Sequence, residues 1–172
     1  MNITDGQLEL RALEPTDLDV LYQWENDVEL WQYGSSITPF SRKQLWDYIE
    51  TYDGDIYRTR QLRLMIVESS SATAIGTIDM FDYDPIHGRA QVGVLIDKTY
   101  RGKGYGARAV ALLGNYCSQY VFMNQLVAIV ANDNEDSLNM FYQVGFIKTG
   151  ELKWWLKRGD RYVDAVLLQK KL

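Results

Sequence analysis

Residues 91–117 read Gln91-Val92-Gly93-Val94-Leu95-Ile96-Asp97-Lys98-Thr99-Tyr100-Arg101-Gly102-Lys103-Gly104-Tyr105-Gly106 and then continue in residues of good helix propensity. A β-branched apolar run, a basic Gly-rich turn and a helical run in direct succession leave few options: a buried strand feeds a tight loop that opens onto a helix. Glycines let main-chain N–H groups converge, and the first turn of a helix leaves such donors without intrahelical partners. The turn is therefore an anion cradle. The helix dipole adds about 0.3–1 kcal/mol for an anion at that end, and Arg101 and Lys103 add charge directly. A pyrophosphate is the expected guest.

Two common phosphate motifs do not fit the turn. The Walker pattern needs four residues between its glycines and a Gly-Lys-Ser/Thr end, and residues 102–107 have neither. The dinucleotide fingerprint would put its third glycine at Ala107. The spacing Arg101-Gly102-Lys103-Gly104-Tyr105-Gly106 follows instead the Arg/Gln-x-x-Gly-x-Gly/Ala loop. With this loop, the run Leu10-Arg11-Ala12-Leu13-Glu14, Asn134 and Gly145-Phe146, the chain resembles the GCN5-related N-acetyltransferases, which move an acetyl group from acetyl-CoA to an amine. Within them it looks most like the branch of spermidine N-acetyltransferases and of enzymes that acetylate ribosomal-protein N-termini.

The resemblance implies a mixed α/β fold. Residues 1–172 would form a single N-acetyltransferase domain. A central mixed six- to seven-stranded sheet would be flanked by about four helices, with two parallel central strands splayed at their C-terminal ends. Acetyl-CoA is the implied cosubstrate. Its pantetheine arm would bond to the backbone at Val94, Leu95 and Ile96, its diphosphate would lie on Arg101, Gly102, Lys103, Gly104, Tyr105 and Gly106, and Asn134 would touch the arm. Asn134 reads equally well as a helix entry.

In chain order, residues 7–12 alternate like a half-buried strand. Thr16 can cap a helix carrying Leu18, Leu21, Tyr22 and Trp24. Residues 27–33 continue as a further turn or helix, Gly34 to Pro39 is a loop, and Ser41 can cap a helix carrying Leu45, Trp46 and Ile49. Residues 62–68 and 74–80 read as an antiparallel pair joined through Ser69-Ser70-Ser71. Asp82 and Asp84 belong to the turn at Pro85, and His87 to the loop beyond it. A strand at 89–96 and a helix at about 104–120 flank the cradle, with Cys117 in the helix's buried stripe. A parallel strand at 125–130 follows by the crossover rule. A short helix then ends at Gly145, and strands at 146–156 and 162–169 meet at Arg158-Gly159-Asp160.

An amine of pKa ~10.4 is neutral in about one molecule in ~2,500 at pH 7, and only the neutral form attacks a thioester. Many relatives place a glutamate before the phosphate loop and a tyrosine in the helix after the asparagine. This chain has Gln91 at the first position and Phe141 at the second. Tyr142 is adjacent, but one helical residue rotates a side chain by roughly 100°. Asp79 matches a carboxylate that faces the acceptor amine in the spermidine branch and is the candidate catalytic residue: in a direct transfer without a covalent enzyme it would attract the cationic amine and pass the amine's proton on through water. The acidic residues such enzymes carry in the loop at 34–39 are absent; Glu25, Asp27, Glu29 and Asp47 lie nearby, each also readable as a solvated carboxylate.

The acceptor is a small-molecule amine, a polyamine such as spermidine, or a peptide N-terminus, whose pKa of ~7.7–8.0 asks less of a base. A CoA-binding scaffold without turnover is the rival of another class. The net charge of −5 gives no bulk affinity for nucleic acid, and no apolar run is long enough for a membrane span. The single Cys117 excludes an internal disulfide or a cysteine-rich metal site, and the single His87 an all-histidine one, so no metal is expected. The start carries an acid and no apolar core segment, which is the expectation for a cytoplasmic protein. Homo-oligomerisation is a further expectation from the branch.

Overall fold

The computed structural model describes residues 3–33 and 37–172, so Gly34, Ser35 and Ser36 of the expected loop lie outside the described residues. Its strands are β1 (Ile3–Thr4), β2 (Leu8–Arg11), β3 (Leu62–Glu68), β4 (Thr73–Asp84), β5 (Arg89–Ile96), β6 (Gln125–Ala131), β7 (Ile147–Arg158) and β8 (Arg161–Lys171). Its helices are α1 (Leu18–Glu25), α2 (Val28–Trp31), α3 (Arg42–Glu50), α4 (Ile56–Thr59), α5 (Tyr105–Tyr120) and α6 (Glu135–Gln143). The strands form one sheet in the order β1-β2-β3-β4-β5-β6-β8-β7. Every neighbouring pair is antiparallel except β5 and β6. The mixed α/β class is as expected, with eight strands and six α-helices among the described residues in place of six to seven and about four. α2 falls inside the stretch 27–33 read as a further turn or helix; the additional elements β1 and α4 are each four residues or fewer, too short to impose a period on the sequence.

Two apolar clusters hold the layers together. Ile66, Ile78, Met80, Val92, Val110, Leu113 and Leu126 belong to the larger, which includes the buried face of α5. Leu21, Trp24, Ile49, Met65 and Val67 form the smaller, which joins α1 and α3 to the sheet. Cys117 is fully buried beside Met80, and burial pushes its thiol up to about 12. Trp46 is not part of the α3 stripe; it is 41% exposed, while Leu45 and Ile49 are buried.

The helix entries differ from one another in chemistry. Ser41 caps α3 as expected, and Gln44 completes a capping box with it, each side chain accepting from the other's backbone N–H at 3.1 and 2.8 Å. Thr16 does not cap α1. A 3-10 turn, Pro15–Asp17, intervenes with Glu14 at its N-cap, because Asp17 has stronger partners than a hydroxyl could find. Asp17 is 3% exposed, and its carboxylate accepts two bonds from the Arg11 guanidinium, both at 2.8 Å, and one from Glu14 N–H at 2.8 Å. This pair pins the end of β2 to the start of α1.

β4 carries two irregularities in its pairing. The first, against β3 between Ile66 and Val67, leaves Ile75 unpaired beside Gly76. A Cβ on Gly76 would stand 2.0 Å from the Leu95 carbonyl oxygen, so β4 and β5 approach there as only glycine permits. The second lies between Phe81 and Asp84. Asp82 sits in it at φ +50°, within β4 rather than in the turn at Pro85 to which the sequence reading gave it. Asp84 does serve that turn, accepting from the N–H groups of Ile86 and His87.

Candidate active site

β5 and β6 pair only at Arg89↔Gln125, Ala90↔Leu126 and Gln91↔Val127. Beyond that point β5 runs on to Ile96 beside β4, and β6 runs on to Ala131 beside β8. A gap opens between two strands that are otherwise held. The Asp97 N–H donates to the Ile75 carbonyl at 2.8 Å, which makes Gly76↔Ile96 a non-hydrogen-bonded antiparallel pair. Alternation then turns the N–H and C=O of Val94 and Ile96 into the gap and spends those of Leu95 on β4. Arg101 reaches the Ile96 carbonyl from the gap side, Nε to O at 2.9 Å. The result is an unpaired strand edge, which a linear amide-bearing arm can extend.

At the end of β5, Asp97 links three elements. Its Oδ2 accepts from Trp24 Nε1 of α1 at 2.8 Å, and its Oδ1 accepts from the Thr99 N–H and hydroxyl at 2.9 and 2.7 Å. Burial raises its pKa, but these bonds outweigh that and hold the carboxyl below its ordinary value. The chain then enters the cradle through Gly102 at φ +74° and Gly104 at φ +80°. Gly104 is the N-cap of α5 and offers no side chain to its free amides. The first bond from this turn is Arg108 N–H to the Gly104 carbonyl at 3.2 Å; among the described residues, no N–H of residues 102–107 has a protein acceptor. Lys103 Nζ lies 5.2 Å from the centre of the Tyr100 ring, and the Tyr105 hydroxyl donates to Glu68. A Cβ at Gly106 would come within 2.7 Å of Met140 Sδ, so this glycine lets α5 start hard against α6. Open amides, two cations and a strand edge in one line fit a diphosphate joined to a pantetheine arm.

Across the sheet beside the gap, Arg63, Asp79 and Gly93 stand in register on β3, β4 and β5. The Arg63 guanidinium grips Asp79 with Nε to Oδ1 at 2.6 Å and Nη2 to Oδ2 at 3.3 Å, and reaches Glu25 of α1 with Nη1 to Oε1 at 2.8 Å. Burial pulls its pKa down, but the two carboxylates and Tyr48 hold it above the ordinary arginine value. The Tyr48 ring centre lies 5.8 Å from the guanidinium, and its hydroxyl is pushed up to about 12, chiefly by burial. Gly93 leaves a gap in this row, with the Phe81 ring 3.5 Å from where its Cβ would be.

Asp79 is thus committed to Arg63 rather than standing as a lone acid. Of the four nearby acids, Glu25 joins it. Asp27 accepts from the Glu29 N–H to cap α2, Asp47 pairs with Lys43 on the exposed face of α3, and Glu29 is exposed. Gln91 donates its Nε2 to Asp82 at 2.7 Å. Asn134 caps α6, its Oδ1 accepting from Ser137 N–H at 3.2 Å. Phe141 is buried edge-on against Phe146, ring centres 4.9 Å apart, while Tyr142 is 42% exposed. Arg63 and Asp97 went unread in the sequence. An arginine at the head of a strand otherwise reading Leu-Met-Ile-Val was the available signal for the first.

A sequence model of the Acetyltransferase (GNAT) domain matches residues 7–147. The uncharacterized N-acetyltransferase p20 of Bacillus licheniformis is 30% identical over 162 residues, 94% of this chain and 90% of that protein. The spermidine N(1)-acetyltransferase of Escherichia coli K12 is 28% identical over 159 residues, 92% and 83% of the two chains. Among solved structures, the spermidine N-acetyltransferase of Vibrio cholerae in complex with CoA and spermine superposes with a TM-score of 0.86 at 21% identity, over 97% of this chain and 96% of that one. The chain belongs to the GNAT acetyltransferase family: it is an N-acetyltransferase, and acetyl-CoA is its cosubstrate. Among the described residues no helix is long and apolar enough to cross a membrane.

Proposed function

We propose that residues 1–172 act as one N-acetyltransferase domain that moves the acetyl group directly to a primary amine lying over the Arg63, Asp79 and Gly93 row. The observation that carries this reading is the gap between β5 and β6, which leads from the open amides of residues 102–107 past Val94 and Ile96 toward that row. The cradle residues Arg101, Gly102, Lys103, Gly104, Tyr105 and Gly106 hold the diphosphate, Val94 and Ile96 bond the pantetheine arm, and Asn134 touches it from the start of α6. Acetyl-CoA supplies the thioester, and the chain positions it and excludes competing water. A gap-facing N–H of β5 is placed to receive charge developing on the carbonyl oxygen.

Asp79 and Glu25 surround one guanidinium and leave a net negative floor, which draws an ammonium group; its proton leaves through water. The names of the relatives support a polyamine such as spermidine as acceptor. A peptide N-terminus is the second reading, favoured because Arg63 already occupies part of the charge that a polycation would need. Self-association fits the outer strand β7, where Ile147, Trp154 and Trp155 are exposed.

The test is thiol release from acetyl-CoA with spermidine, simple monoamines and short peptides with free N-termini, for the wild type and Asp79→Asn. The expected result is release with at least one acceptor and a clear fall in kcat/KM in the variant. Wild-type kcat/KM across pH in Asp79→Asn refutes the role of Asp79, and CoA binding without release for any acceptor refutes turnover.

A further inference from the structure

The turn between β7 and β8 concentrates positive charge in an unusual way. Lys157, Arg158 and Arg161 line an open cavity of about 550 Å³, with Trp31 and Ile37 on its walls. Arg158 and Arg161 face each other directly across the hairpin, an arrangement of like charges that is unfavourable by itself. The Arg158 side chain is only 11% exposed, and its Nη2 is buried without a hydrogen-bond partner among the described residues. The nearest carboxylate oxygen, on Asp133, stands 4.0 Å away, beyond hydrogen-bond reach. The Tyr33 ring, 5.2 Å from the guanidinium carbon, steadies the cation through its face but accepts no N–H in the guanidinium plane. Asp160 at the tip of the turn makes no ion pair with either arginine among the described residues.

A guanidinium cannot discharge itself by losing its proton, and Asp133 meets Arg158 only at the long range of 4.0 Å, so the three cations that line the cavity leave it with a net positive wall. We propose that the β7–β8 turn is a binding site for a carboxylate or phosphate group, gripped by Arg158 and flanked by Lys157 and Arg161. The guanidinium fork matches both anions in shape. Trp31 and Ile37 provide an apolar wall for an organic ligand body. The site adjoins the acceptor floor, because Trp31 Nε1 donates to the Glu25 carbonyl at 2.8 Å while the Glu25 carboxylate holds Arg63. An acidic floor beside a basic turn suits an amine that itself carries an anionic group. The same chemistry also suits a separate anionic effector.

Calorimetric titration of inorganic phosphate into the protein saturated with CoA, so that the α5 cradle is filled, reads this site apart from turnover. One binding event is expected in the wild type, weakened about tenfold or more by Arg158→Gln and about threefold by the exposed Arg161→Gln. Lys148→Gln, elsewhere on β7, should leave it unchanged. A thermal melt of each variant establishes that it is folded, and Arg158→Lys should restore part of the affinity. Phosphate that raises the acceptor KM alone marks the anion as part of the acceptor; phosphate that changes kcat at saturating acceptor marks an effector. Absence of binding in the wild type, or equal binding in Arg158→Gln and wild type, overturns the proposal. Should CoA fail to bind, the acetyl-transfer reading falls. The comparison of wild type with Arg158→Gln then still decides the turn site, since both carry the same cradle.

Discussion

Alanine in place of Gly76 and alanine in place of Gly106 add the same methyl group at two crowded positions, and the structure assigns them opposite outcomes. At Gly76 the new Cβ meets a main-chain oxygen, Leu95 O, at 2.0 Å, whereas real Cβ contacts essentially never fall below 3.0 Å. Neither partner is flexible, so β4 and β5 must part by at least about 1 Å, a displacement that a ladder of hydrogen bonds does not absorb. The two bonds of the Leu95 and Thr77 pair, at about 0.5–1.5 kcal/mol each, and an overpacking cost of about 1–3 kcal/mol give a loss of about 2–6 kcal/mol. At Gly106 the obstacle is Met140 Sδ, near the end of a side chain with several rotatable bonds. Its displacement is offset by the helix-propensity gain of about 0.8–1 kcal/mol, leaving Gly106→Ala within about 1 kcal/mol of wild type. Urea unfolding followed by tryptophan fluorescence measures both. Gly76→Ala should also raise KM for acetyl-CoA about tenfold, because Leu95 and Ile96 form the wall of the gap. Equal midpoints for the two variants would refute the distinction between a rigid and a yielding neighbour.

Three further outcomes follow from other parts of the molecule. Gly104 stands at φ +80° in open space, so Gly104→Ala should cost about 1–2 kcal/mol of strain without a clash and weaken CoA binding, measured by calorimetry. Arg63→Met leaves Glu25 and Asp79 without their shared cation; a loss of about 3 kcal/mol in unfolding free energy is expected, with spermidine KM falling relative to that of a monoamine. The Cys117 thiol, held at about 12 in the fold and near its ordinary value when unfolded, contributes stability that is full below pH 9 and lost as the pH rises toward 12. Tyr48 acts in the same direction between pH 10 and 12. Unfolding midpoints should therefore fall above pH 9, and a thiol reagent at pH 8 should label the protein in urea but not in buffer.

The cradle was legible because it is local: Arg101 to Gly106 and the start of α5 lie within a few residues of one another, and glycine spacing reports main-chain geometry directly. β5 was likewise read at its observed bounds, since Val92, Val94, Leu95 and Ile96 form a largely β-branched apolar stretch with turn residues beyond each end of the strand. The Arg63, Asp79 and Glu25 cluster, the proposed acceptor floor, was not legible, because it is made by register. Arg63 and Asp79 are sixteen positions apart and meet only once β3 and β4 are aligned, bulge included, while Glu25 arrives from a helix thirty-eight positions before Arg63. A carboxylate on a helix surface looks the same in sequence whether it faces water or a guanidinium. Asp82 was missed for a related reason, since a bulge at φ +50° inside a strand has the composition of a turn.

The absence of a tyrosine hydroxyl at Phe141 and a carboxylate at Gln91 is chemically coherent with transfer to an amine of modest basicity. A thiol of pKa near ~8.5 leaves as thiolate at pH 7 at a cost of only about 2 kcal/mol, so the acid that a tyrosine would supply is of limited worth. On the attacking side, an amine of pKa ~7.7–8.0 is neutral in roughly one molecule in eight at pH 7, against one in ~2,500 for a lysine-like amine. Gln91 keeps its polar head engaged with Asp82, and Phe141 and Phe146 close the core beneath α6, so both positions serve the scaffold in this chain. What remains at the floor is charge placed by Arg63, Glu25 and Asp79, together with the gap-facing edge of β5. In the proposed reading those features bind and orient the acceptor rather than move its proton. The burden of deprotonation then falls on the acceptor's own pKa, which links the identity of the acceptor to the two residues that the family pattern leads one to expect and that this sequence replaces.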